Sequence, residues 1–123
     1  MGITQDGIDG EQKLFKWLKE KDYVFFQPDA LSFEDGNYVL NECKHQEHFK
    51  SPPFDGHGLP KWQVEARIWF WEITNIRCRL IIFEKGTKDI YWQWLDILEN
   101  DEYFDTQGDK PRRIYPLFNF NKE

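Results

Sequence analysis

Long apolar runs, cysteine and positive charge are all scarce in this chain of 123 residues. No uninterrupted apolar stretch approaches the ~18 residues a membrane-spanning helix needs. Cys43 and Cys78 are the only two cysteines, too few and too differently placed for a disulfide framework, so a reduced, cytoplasmic compartment is expected. The opening MGITQDGIDGEQ lacks the basic-then-apolar pattern of a signal peptide. After Met1-Gly2, Asp6 stands where a myristoylation signal has Ser or Thr. Repeats, low-complexity tracts and long linkers are missing, so residues 1–123 read as a single domain. Sixteen Lys and Arg against 22 Asp and Glu leave a net charge of −6, which predicts weak nonspecific affinity for nucleic acid.

Aromatic residues, by contrast, are plentiful. Eleven Phe, six Trp and five Tyr make 18% of the chain, too many for a disordered segment and enough to fill one core. The acid excess is also localised. Residues 95–109 carry Asp96, Glu99, Asp101, Glu102, Asp105 and Asp109 with no Lys or Arg, and the rest of the chain is neutral. Such a body can still meet DNA locally, particularly where acids hold divalent cations.

Asp9 can cap a helix running to about Lys21, in which Glu11, Leu14, Phe15 and Leu18 fall at i, i+3, i+4 and i+7. Glu11 on that apolar face is either a dipole-friendly first-turn acid or one that points into a site. Tyr23–Asp29 and Asn37–His45 read as two strands of a hairpin turned at residues 34–37. Residues 46–58, with two Pro and two Gly, read as a loop long enough to suggest a role. Pro60 suits the first turn of a helix reaching about Thr74. Ile76–Glu84 and Ile90–Trp94 form a second hairpin, Leu95 to about Tyr103 a short helix, and Arg112–Phe118 a last strand or an extended tail. The order α-β-β-α-β-β predicts an α/β sandwich: a small mixed sheet flanked by helices.

Glu42 and Lys44, two apart on a strand, project from one face. Asp29 on the neighbouring strand can lie beside them, with the Glu11 helix near, so that three carboxylates and an ammonium converge. Carboxylates so placed raise one another's pKa unless a cation neutralises them, and hard oxygen ligands are what Mg²⁺ or Mn²⁺ prefer.

Here the sequence resembles the PD-(D/E)XK nucleases, the restriction-endonuclease-like superfamily. Glu11, Pro28-Asp29 and Glu42-Cys43-Lys44 match its pattern of an acid on the first helix, an Asp after Pro, and Glu-x-Lys, and Gln63 matches the Gln that many members place on the second helix. The resemblance covers about residues 8–98, with 99–123 as an acidic segment and tail, and the layout is most like the small Holliday-junction resolvases. It implies a Mg²⁺- or Mn²⁺-dependent endodeoxyribonuclease acting through metal-activated water. Asp29, Glu42 and the main-chain carbonyl of Cys43 would be metal ligands and Glu11 an outer or second-metal ligand. Lys44 would position the water and Gln63 would support it. His45, His48 and Lys50, just after the catalytic strand, would line the DNA groove.

Blander readings stand beside these. A Glu-x-Lys pair is often a solvated face, Gln63 is equally an ordinary polar residue on a half-buried helix, and Asp35 competes with Asp29 but suits a turn. Cys43, His45, His48 and His57 could in principle hold Zn²⁺, although their spacing is unusual for it. Trp69-Phe70-Trp71, Trp92 and Trp94 leave ring surface that a homodimer would hide. Lys110, Arg112 and Arg113, the one compact basic cluster, read as a solvated tail in preference to a phosphate contact. Two further functions remain in view: a non-catalytic nucleic-acid-processing subunit of the same fold, and a protein-interaction module using the acidic 95–109 segment. The shortage of basic residues also suggests a protein partner that supplies targeting.

Overall fold

The computed structural model describes residues 4–23, 25 and 27–123; the readings on Met1-Gly2 and on strand positions Val24 and Phe26 lie outside them. Its elements run α1 (Gln5–Glu20), β1 (Ala30–Glu34), β2 (Asn37–Gln46), β3 (Gly56–Pro60), α2 (Lys61–Thr74), β4 (Arg77–Glu84), β5 (Ile90–Trp94), α3 (Leu95–Glu99), β6 (Phe104–Asp105), β7 (Arg112–Pro116) and β8 (Asn121–Lys122). A five-stranded sheet is ordered β1-β2-β4-β5-β8, with β2 and β4 parallel and the other pairs antiparallel. The result is the α/β architecture expected from the sequence, a central mixed sheet with helices against it.

Alternation places the core. Along β4 the residues Cys78, Leu80, Ile82 and Glu84 point inward, and the parallel register sets Leu40, Glu42, Lys44 and Gln46 of β2 beside them on the same face. Leu40, Leu80, Ile82 and Tyr91 on this face pack with Leu59, Val64, Leu95, Leu98 and Tyr115, and Phe120 joins them from beyond β7. Helix α2 turns Val64 and Arg67 inward and ends at Asn75, which takes the left-handed conformation (φ 62°) common just past a helix.

The hairpin is displaced from its expected position. Asp35 and Gly36 both adopt positive φ (50° and 82°), giving the two-residue loop that matches the twist of paired strands. Pairing therefore grows directly outward from Glu34↔Asn37, and the first strand is Ala30–Glu34 rather than Tyr23–Asp29. Helix α1 is capped by Thr4, whose Oγ accepts from the Gly7 amide at 3.1 Å, so Asp9 lies inside the helix instead of capping it. No residue of α1 is buried.

The expected loop at 46–58 holds over 47–55, but its two ends are strand. β2 extends to Gln46, and β3 enters a second sheet ordered β3-β7-β6. Gly56 and Gly58 permit this: a Cβ at either would overlap the carbonyl oxygen of Tyr115 or Arg113 on β7. The last helix stops at Glu99 rather than Tyr103, and Arg112–Pro116 is a strand whose Tyr115 is fully buried. Half of the acids in 95–109 serve internal pairs. Arg77 forks onto Asp96 at 2.9 and 3.0 Å, and Arg113 holds Asp105 at 2.9 Å and Glu99 at 2.6 Å. Arg113 is consequently buried, not part of a solvated tail. Among the described residues no helix is long and apolar enough to cross a membrane.

Candidate nuclease centre

Register brings Asp29 to β2. Ala30 pairs with Asn41, which sets Asp29 opposite Glu42, and the Asp29 Oδ2 accepts the Cys43 amide at 2.8 Å. This bond also answers the backbone donor that β1, starting only at Ala30, leaves unpaired. Lys44 follows Glu42 on the same face, half-buried, its ammonium without a hydrogen bond or ion pair among the described residues. Asp29, Glu42 and Lys44 are thus the predicted residues that the fold brings together.

Glu42 is only 3% exposed, and its Oε1 accepts from Arg67 Nε at 2.7 Å. Burial pushes its carboxyl above the ordinary range, with Asp29 adding to the rise and Arg67 and Lys44 opposing it. Arg67 is the residue that sequence reasoning missed. Gln63, expected at the centre, contributes instead its backbone carbonyl, to which Arg67 Nη1 donates at 3.0 Å. The available signal was an arginine four residues beyond Gln63, on the stripe of α2 that carries Val64.

The remaining predicted residues do not join this cluster. Glu11 is exposed on α1, and its carboxylate forms no hydrogen bond or ion pair among the described residues. His45 lies on the opposite face of β2 from Lys44, and Lys50 is exposed in the segment after it. His48 turns inward, with Nδ1 at 2.7 Å from Glu84 Oε1. The same oxygen lies 3.1 Å from Nε2 of the buried His57, whose Nδ1 is 2.9 Å from Gln46 Oε1. Burial holds the His57 imidazole below its ordinary range, against the pull of Glu84. Among the described residues no three His, Cys, Asp or Glu side chains are grouped to hold a metal ion, so neither the Zn²⁺ set nor a third carboxylate from Glu11 forms. Asp29 and Glu42 on their own still fit Mg²⁺, which is commonly bound through one or two carboxylates, water and substrate phosphate.

No protein-family model matches the chain, and no curated protein does. Among solved structures, the chain is similar to that of Hjc, a Holliday junction resolvase from Archaeoglobus fulgidus, at 13% identity and a TM-score of 0.45, covering 90% of this chain and 84% of that one.

Proposed function

We propose that the chain is a Mg²⁺- or Mn²⁺-dependent nuclease that hydrolyses phosphodiester bonds in DNA, with branched DNA as its preferred substrate. The observation that carries this reading is Asp29 bonded to the Cys43 amide, opposite Glu42 and one strand step from Lys44. Asp29 and Glu42 would hold the divalent ion, which would supply an activated water and charge neutralisation at the phosphate. Lys44, whose ammonium has no hydrogen bond or ion pair among the described residues, would orient that water and meet the phosphate. Arg67 positions the Glu42 carboxylate by donating to its Oε1. The PD-(D/E)XK resemblance supplies the assignment of roles. Exposed Trp69 and Ile73 on α2 suit a homodimer, which would present two centres to two strands.

A second reading, a non-catalytic subunit of the same fold, is favoured by the Glu42–Arg67 pair, because a guanidinium already neutralises the buried carboxylate. Cleavage of labelled duplex, single-stranded and four-way-junction DNA with Mg²⁺, Mn²⁺ or EDTA separates the two. Metal-dependent cutting that Lys44→Ala and Asp29→Asn each reduce at least ~100-fold is expected. No cutting of any substrate by the wild-type chain would select the second reading.

A further inference from the structure

Trp62 stands on the outward side of α2, 67% exposed, and walls a cavity of about 620 Å³ together with Pro60, Lys110, Pro111 and Arg112. That volume is in the range of small-ligand sites. The Lys61 amide donates to the Pro111 carbonyl at 3.0 Å, tying the first turn of α2 to the opposite wall. The free charge in the cavity is mainly positive. Lys61 is engaged by Glu65 at 3.8 Å and Asp105 at 3.6 Å, whereas Lys110 and Arg112 have no carboxylate partner among the described residues. Arg112 is aimed by its bond to the Gly58 carbonyl, 3.0 Å. Asp109 is the remaining acid in the lining.

One residue, Arg112, is shared between this cavity and the cleft beside it. Gln46 and His48 also line that cleft, and Gln46 shares the β2 face of Glu42 and Lys44. We propose that the cavity binds one unpaired nucleotide of a DNA strand, its base stacked on Trp62 and its phosphate against Lys110 and Arg112. This rests on the nuclease reading and assigns that centre a preference for substrates with unpaired bases. An indole face accepts any base, and two unneutralised cations beside it supply the complement to a phosphate. A second copy of the chain covering Trp62 along with Trp69 and Ile73 is the competing occupant, but a concave site edged by free cations suits a nucleotide better than a helix stripe.

The test is binding of a labelled single-stranded oligonucleotide and of its duplex to the full chain in EDTA, where no cutting occurs, with Trp62→Ala, Trp62→Phe and Lys110→Gln. The wild type is expected to bind the single strand more tightly than the duplex. Trp62→Ala weakens that binding by about fivefold or more, as loss of one base stack does, and Trp62→Phe retains most of it. Lys110→Gln lowers the salt slope by about one. Equal binding by Trp62→Ala and wild type, or no binding by the wild type, overturns the proposal even if the wild type cuts DNA. A Trp62→Ala that changes the mass by light scattering while binding the oligonucleotide as before assigns the cavity to a second copy, and likewise overturns it. Binding that follows the expected pattern in a chain that never cuts DNA overturns the nuclease reading alone. Melting of Trp62→Ala at the wild-type temperature confirms that an exposed residue was removed from a folded protein.

Discussion

Arg67 and Glu42 are each nearly removed from solvent, and each is the other's counter-charge. Removing one member of such a pair leaves an uncompensated buried charge and costs about 3–5 kcal/mol. Arg67→Met is therefore expected to lower stability by that amount in chemical denaturation, and Glu42→Gln combined with Arg67→Met to recover most of it. A double variant no more stable than Arg67→Met would show that the arginine acts through packing rather than through the pair. At this scale the sequence is legible where period decides: Glu42 and Lys44 share a face because strands alternate, and Asp29 stands opposite them because a hairpin must close. Arg67 is not legible in the same way. An arginine within an apolar helical stripe reads as a snorkelling surface residue until the carboxylate that draws it inward is known.

The helices and strands differ in how firmly they deliver their residues. Strands β2 and β4 lock Lys44 beside Ile82 by register, whereas α1 has no fully buried residue and groups Glu11 with no acid cluster among the described residues. Isolated helices of this length are marginal in water. Glu11→Ala is expected to leave cleavage within about twofold of wild type, and deletion of residues 4–21 to cost less than ~1 kcal/mol in thermal unfolding. A tenfold loss of cleavage in Glu11→Ala would mean that α1 closes over the centre when substrate binds. The second helix and the Arg77–Glu84 and Ile90–Trp94 strands are readable from sequence because apolar periodicity and turn residues agree there. The second sheet is not, because β3 is His, Pro and Gly apart from Leu59, and the ordinary meaning of those residues is a loop. Only the close approach of β7 turns Gly56 and Gly58 into strand residues.

For the molecule as a whole, titration follows burial. The His57 imidazole is held below its ordinary 6.5 by burial, so the unfolded chain binds more protons than the folded one just below that pH. Stability then rises with pH through this window, is fully present above it, and is lost as pH falls through the folded value. Asp105, held low by Arg113, and Glu34, held low by Arg79, act in the same direction at lower pH. Glu42, raised by burial, acts in the opposite direction, since its protonated form favours folding. A lower denaturant midpoint at pH 5.5 than at pH 7.5 is expected, with a shallower difference in His57→Gln; an unchanged difference in that variant would move the pH dependence to other groups.

Tyr115 and Phe120 lie in the same core as Leu40, and β2 finds its parallel neighbour only after α2 has intervened. The order of assembly during synthesis follows. The strand that carries Glu42 and Lys44 leaves the ribosome with one partner, β1, and waits for some forty further residues before its other edge is paired. The interior it faces closes only when residues 114–120 arrive. Such non-local pairing is slow to form, so the nascent chain spends that interval with this apolar face open.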